Sequence, residues 1–96
     1  MLNIWRKALK KWGGMMMNKE FDFHDFVKDS KNERFQVCLV LSCEGDSSSQ
    51  NWLGYAYYTG GFGLEPNIEK AVYWLKKSAA QYDENAMHTL EEIGEE

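Results

Sequence analysis

The sequence predicts an all-α chain: an α/α superhelical repeat in which about one complete helix pair is flanked by two partial ones. Two observations carry this. Sliding the 96-residue chain on itself by 37 positions puts Asp46 on Asp83, Ser49 on Ala86 and Leu53 on Leu90. Upstream, the same shift puts Phe35 on Val72, Cys38 on Leu75 and Ser42 on Ala79. A period in the thirties is the mark of stacked helix pairs. The second observation is that apolar residues recur at three- and four-residue steps over 67–81 and 83–94, the spacing of one helical face. Strict alternation is confined to 21–26, so no sheet is expected.

Each element has its own signals. Phe21, Phe23 and Phe26 alternate with polar residues, which reads as an apolar segment laid on the surface. Ser30 with Glu33 three positions on reads as a capping box, opening a helix that runs to about Cys43 and stops at Gly45. Asp46 caps a helix to about Thr59. Gly60-Gly61-Phe62-Gly63 then breaks the chain, and Asn67, after Pro66, caps a helix through about Gln81. In that helix Ala71, Trp74, Leu75 and Ala79 form one stripe. Asp83 caps the last helix, whose stripe is Ala86, Leu90 and Ile93.

The glycine turn raises the question of a phosphate site. A phosphate loop needs a lysine directly after its last glycine, so that backbone donors and the ammonium converge on one anion. Here Leu64-Glu65-Pro66-Asn67 follows Gly63, an acid stands where the anion would be, and Lys70 arrives seven residues late. The glycines therefore serve positive φ between two packed helices. Gly54 lies inside a helix, where glycine costs about 1 kcal/mol against alanine. Its use must be a close approach by a neighbouring helix, with Tyr73 and Trp74 expected across it.

With these residues on the page, the stretch LGYAYYTGGFGLEPNIEKAVYWLKKSAAQYDENAMHTL resembles the Sel-one-like repeat, a tetratricopeptide-like α/α solenoid class. Ser49, Leu53, Gly54, Tyr57, Gly60, Gly63, Leu64, Asn67, Lys70, Ala71, Tyr73, Trp74, Ser78 and Ala79 occupy the pattern's places. The complete repeat spans about 46–82, after a degenerate second helix (31–45) and before a truncated first helix (83–94). The turn carries one residue more than the pattern, Tyr82 and Glu91 stand where it has glycines, and Asn67 replaces its cap aspartate. Residues 18–29 match nothing in it. The resemblance implies a scaffold for protein–protein contacts, with structural roles for Leu53, Gly54, Tyr57, Gly60, Gly63, Lys70, Ala71, Trp74, Ala79 and Leu90. It implies no catalytic residues and no cofactor.

Composition narrows the function classes further. The net charge of −4 conceals an asymmetry. Residues 1–17 carry Arg6, Lys7, Lys10 and Lys11 and no acid, leaving 18–96 with 7 bases against 15 acids. Such a body repels nucleic acid. Two cysteines in an apolar run, Cys38 and Cys43, read as buried reduced thiols, and with no apolar run of membrane-spanning length and no signal-peptide core the expected compartment is the cytoplasm. His24 between Asp22 and Asp25 is a single nitrogen ligand, too few for a metal centre. His88 has no nucleophile spaced beside it, and the acidic tail from Glu91 to Glu96 reads as a solvated helix end.

One stripe stands out. Asn51, Tyr55 and Tyr58 lie opposite Ser49, Leu53 and Ala56, and the repeat shift carries Asn51 and Tyr55 onto His88 and Glu92. First helices of solenoid pairs line the binding face, so these five residues are candidates for partner contact. Packing on a neighbouring helix is the equal alternative for the tyrosines. The functional expectation is a non-catalytic, partner-binding adaptor, with an immunity- or antitoxin-like neutralising protein as the alternative. Two expectations concern the ends. Ala86, Leu90 and Ile93 have no following helix to cover them, which suggests a homodimer through the C-terminal helix, a partner, or a fold-back of Phe21, Phe23 and Phe26. At the start, Gly13-Gly14 precedes Met15-Met16-Met17, so translation beginning there would leave residues 1–17 outside the native product and 18–96 as the domain. The other reading of that segment is a basic amphipathic helix of Ile4, Trp5, Leu9 and Trp12, docked on the body or a membrane surface.

Overall fold

The computed structural model describes residues 21–95; the expectations on residues 1–17 lie outside them. Among the described residues every regular element is helical: α1 Phe23–Val27, α2 Glu33–Cys43, α3 Ser47–Thr59, α4 Ile68–Ala79 and α5 Glu84–Glu95, with a 3₁₀ turn at Gly61–Gly63 between α3 and α4. The all-α repeat expectation holds.

The starts of α3, α4 and α5 follow their caps. The Asp46 carboxylate accepts from the Ser49 N–H, Asn67 Oδ1 from the Lys70 N–H, and Asp83 Oδ1 from the Ala86 N–H. Asparagine thus serves where the repeat pattern has aspartate, because the acceptor oxygen is what the first turn needs. The cap of α2 differs from expectation. Asn32, not Ser30, holds it, accepting from the N–H groups of Arg34 and Phe35. The Ser30 hydroxyl is spent elsewhere, donating to the Phe62 carbonyl at 2.6 Å. Helix α4 ends at Ala79, two residues short of the expected Gln81.

The helices pack as antiparallel neighbours. Leu75 and Ala71 of α4 meet Gly54 of α3, the Ser78 hydroxyl donates to the Ser47 carbonyl, and the Asn67 N–H returns to the Tyr57 carbonyl. On the other side of α3, the Gln50 amide donates to the Ser42 carbonyl and the Phe35 ring meets Tyr57 edge-on. Helix α5 lies against α4 and, more lightly, α3. Each helix buries one stripe on its neighbours, as repeat geometry requires.

Three expectations are corrected here. The alternation in 21–26 is not a strip laid flat. Asp22 and Asp25 form a reciprocal capping box that starts the short helix α1, and its one-turn twist drives Phe26 into the core while Phe23 stays exposed. Cys43 is exposed rather than buried, and Cys38 is half-buried; both are free. The stripe of Ala86, Leu90 and Ile93 is fully buried. Its equivalents on α3, Ser49, Leu53 and Ala56, include the Ser49 carbonyl that accepts from Cys38 Sγ of the preceding helix. The stripe of each first helix therefore faces backward along the stack, and that of α5 is covered by α4. Among the described residues it leaves nothing for a second copy to cover.

Candidate functional site

The extra residue of the glycine turn is absorbed by three left-handed conformations: Gly60 (φ 87°), Phe62 (φ 57°) and Gly63 (φ 75°). The turn, with the start of α4, walls a groove of about 430 Å³ lined by Lys28, Asp29, Tyr57, Gly63, Glu65, Pro66, Asn67 and Lys70. One oxygen of Asp29 organises it. That oxygen accepts from the Tyr57 hydroxyl at 2.6 Å and from Lys70 Nζ at 2.6 Å. The Lys70 ammonium also donates to the Asp25 carbonyl and sits 5.4–5.9 Å above the rings of Phe21, Phe26 and Tyr57. Burial, with Asp29 hydrogen-bonded and negatively charged beside it, pushes the Tyr57 hydroxyl far above its ordinary pKa. The cluster has its charges matched and its donors used, so it is a clamp that fastens the 21–30 segment onto the repeat. Burial raises both cysteine thiols, which leaves neither activated.

The structural residues fall where the repeat needs them. Leu53, Tyr57, Ala71, Trp74, Ala79 and Leu90 are all in the core. Gly54 does permit the close approach expected of it, but the neighbours across it are Leu75 and Ala71. Tyr73 and Trp74 point away, stacking on each other at 5.1 Å and packing on Phe26. The candidate partner stripe is divided. Tyr55 is 46% exposed, and His88 and Glu92 are exposed on the neighbouring helix α5. Tyr58 is half-buried against the core, its ring edge-on to Tyr55 at 6.4 Å. Asn51 is half-buried, and its Oδ1 is out of water and without a hydrogen-bond partner. His88 and Glu92 are related to the α3 set by the adjacency of α3 and α5.

The residue that sequence reasoning missed is Trp52. It lies three positions before Tyr55 on the outward side of α3 and is 63% exposed. The signal was present: one helical turn places Trp52 and Tyr55 together, away from Leu53.

Among the described residues there is no group of three or more His, Cys, Asp or Glu able to hold a metal ion, and no helix is long and apolar enough to cross a membrane. Packed helix pairs closed by a glycine turn, with one stripe facing back along the stack, define an α/α helical-repeat protein. Residues 47–83 match the family model of the Sel1 repeat, and the chain carries a Sel1-like repeat. No curated protein and no solved structure matches it. Sel1 repeats generally mediate protein–protein interaction and are generally non-catalytic.

Proposed function

We propose that this chain is a non-catalytic interaction module whose partner contacts centre on the outward side of α3 and extend onto α5. The observation that carries this is the exposed aromatic pair Trp52 and Tyr55. Large aromatics supply most of the energy at protein interfaces, and these two add nothing to a core that is complete without them. Asn51 lies half-buried beside them, its Oδ1 out of reach of a partner, and exposed His88 and Glu92 form a polar rim. An adaptor role fits a surface that can stack on partner side chains without demanding one shape. The acid excess of residues 18–96 supports a second reading, neutralisation of a basic partner.

The test compares the proteins captured by the wild-type chain with those captured by a Trp52→Ala, Tyr55→Ala double variant. Partners lost from the variant, at an unchanged melting temperature, support the α3 surface; identical capture by both chains refutes it. A single stoichiometric partner favours neutralisation, and several weaker ones favour an adaptor.

A further inference from the structure

The two ends of the helix stack differ in chemistry. On α5 the exposed side chains are Glu84, Asn85, His88 and Glu92, all polar, as the outer face of a terminal repeat should be. On α2, at the other end, Val37 is 60% exposed, Val40 48% and Leu41 42%. The repeat register says what this apolar face is suited to hold. Ala71, Leu75 and Ser78 of α4 seat α3, and the 37-residue shift maps them onto Arg34, Cys38 and Leu41. Those three, with Glu33, Val37 and Ser49, line a groove of about 390 Å³. It has the form of a seat for a helix. The one described helix before α2 does not fill it, because α1 commits Phe26 to Tyr57, Tyr73 and Trp74.

We infer that the α2 helix of a second copy of this chain occupies the groove, running antiparallel to α2 about a two-fold axis. Arg34, Val37, Leu41 and Glu44 recur at steps of three, four and three residues and are all exposed, so they form one seam along the helix. The seam complements itself when reversed. A pairing that sets Val37 against Leu41 of the other copy also brings Arg34 to Glu44 of the other copy, and symmetry makes each contact twice. The flanking charges agree. At the N-terminal end of α2 exposed Lys31 and Arg34 outweigh Glu33, and at the C-terminal end exposed Glu44 and Asp46 are both acids. Antiparallel helices therefore meet basic end to acidic end with their dipoles opposed, whereas parallel ones would set like against like. Helix α5 of another copy is a poor substitute, since its exposed side is polar and carries Glu84 and Glu92. The assembly thus closes at two copies and does not extend into a fibre. A seam of about 15 Å makes an interface at the small end of the range, so monomer and dimer should exchange with concentration.

The test follows the full chain by sedimentation velocity across a dilution series at low ionic strength, where charge pairing is least screened. Arg34→Glu and Glu44→Arg each turn both symmetric ion pairs into like-charge contacts. Each also places at its end of α2 the sign that the helix dipole favours, so neither should unfold the helix. The expected result is a wild-type chain that dimerises as concentration rises, and single variants that associate about tenfold or more weakly. Their melting temperatures, read where the wild type is monomeric, should not fall. An equimolar mixture of the two variants should recover the dimer, because every contact between unlike chains is again acid to base. A wild-type chain that stays monomeric at every concentration overturns the proposal and leaves the groove to another part of this chain or to a different protein. Dimers indifferent to either charge reversal place the interface elsewhere, and a mixture that fails to recover rules out this antiparallel register; each overturns the proposal too.

Discussion

Replacing Gly54 by alanine should destabilise the protein, although alanine is the better helix former. A Cβ at position 54 would lie 2.6 Å from Leu75 Cγ, 2.8 Å from Leu75 Cδ2 and 3.1 Å from the Ala71 carbonyl oxygen. The clashing atom is the branch point of a fully buried leucine, not the tip of a flexible chain, and the backbone of Ala71 blocks the other direction. Helices α3 and α4 must move apart by the order of 1 Å, an overpacking that typically costs about 1–3 kcal/mol. The intrinsic preference for alanine returns about 0.8–1.0 kcal/mol. Because Leu75 is fully buried, the overlap outweighs this return, and the net loss should be up to about 2 kcal/mol. For a chain of this size that lowers the melting temperature by up to about 8–16 °C. Thermal unfolding followed by circular dichroism measures it. The double variant Gly54→Ala, Leu75→Ala should be more stable than the sum of the two single losses predicts, by about 1 kcal/mol, since the new methyl enters the space that leucine vacates. A melting temperature at or above wild type for Gly54→Ala alone would refute the close crossing.

Three further outcomes follow from the same geometry. In an alkaline absorbance titration, Tyr57 should ionise as a late step, only as the fold opens, because its raised pKa contributes stability that is present below the ordinary value near 10.0 and lost as pH rises through the folded one. Tyr57→Phe should abolish that lagging step. Tyr82 holds φ 66° at the place where the preceding repeat has Gly45 (φ 102°), and its ring is 83% exposed. Tyr82→Gly should therefore stabilise the protein by about 0.5–1 kcal/mol, relief of left-handed strain less glycine's added chain entropy, read as a higher urea midpoint. Finally, the Ser49 hydroxyl and then its N–H hold the Asp46 carboxyl below 3.8. That contribution is present above the unfolded value and is lost as pH falls through the folded one, so Asp46→Asn should flatten the acid limb of the melting temperature against pH.

The helices were legible because their signals are local. Asp46, Asn67 and Asp83 each bind an N–H within three residues, and the stripe of α4 repeats within its own length. What was not legible depended on contacts across the chain. Ser30 reads as a cap from its neighbours alone, but the Phe62 carbonyl, 32 positions away, takes its hydroxyl. The spacing of Phe21, Phe23 and Phe26 fits a strand as well as a one-turn helix, and the Asp22–Asp25 box decides it. For Ala86, Leu90 and Ile93 the stripe itself was right and its direction was not: periodicity says that a face is apolar without saying which neighbour it meets. Trp52 was overlooked for the related reason that exposure is fixed by neighbours that a single helix does not show. The clamp of Asp29, Tyr57 and Lys70 brings together three residues from three segments, and no spacing rule connects them.

That clamp has a consequence for how the chain acquires its shape during synthesis. Asp29 precedes its partners Tyr57 and Lys70 by 28 and 41 residues, and Phe26 needs Tyr57, Tyr73 and Trp74 around it. The segment that leaves the ribosome earlier must therefore wait, its phenylalanines bare, until α4 has been made. At about 5–20 residues per second, the wait lasts a few seconds, long enough for a chaperone to bind the segment first. Removing the Lys70 ammonium should thus lower the yield of folded protein in the cell by more than the melting temperature of the purified chain would suggest.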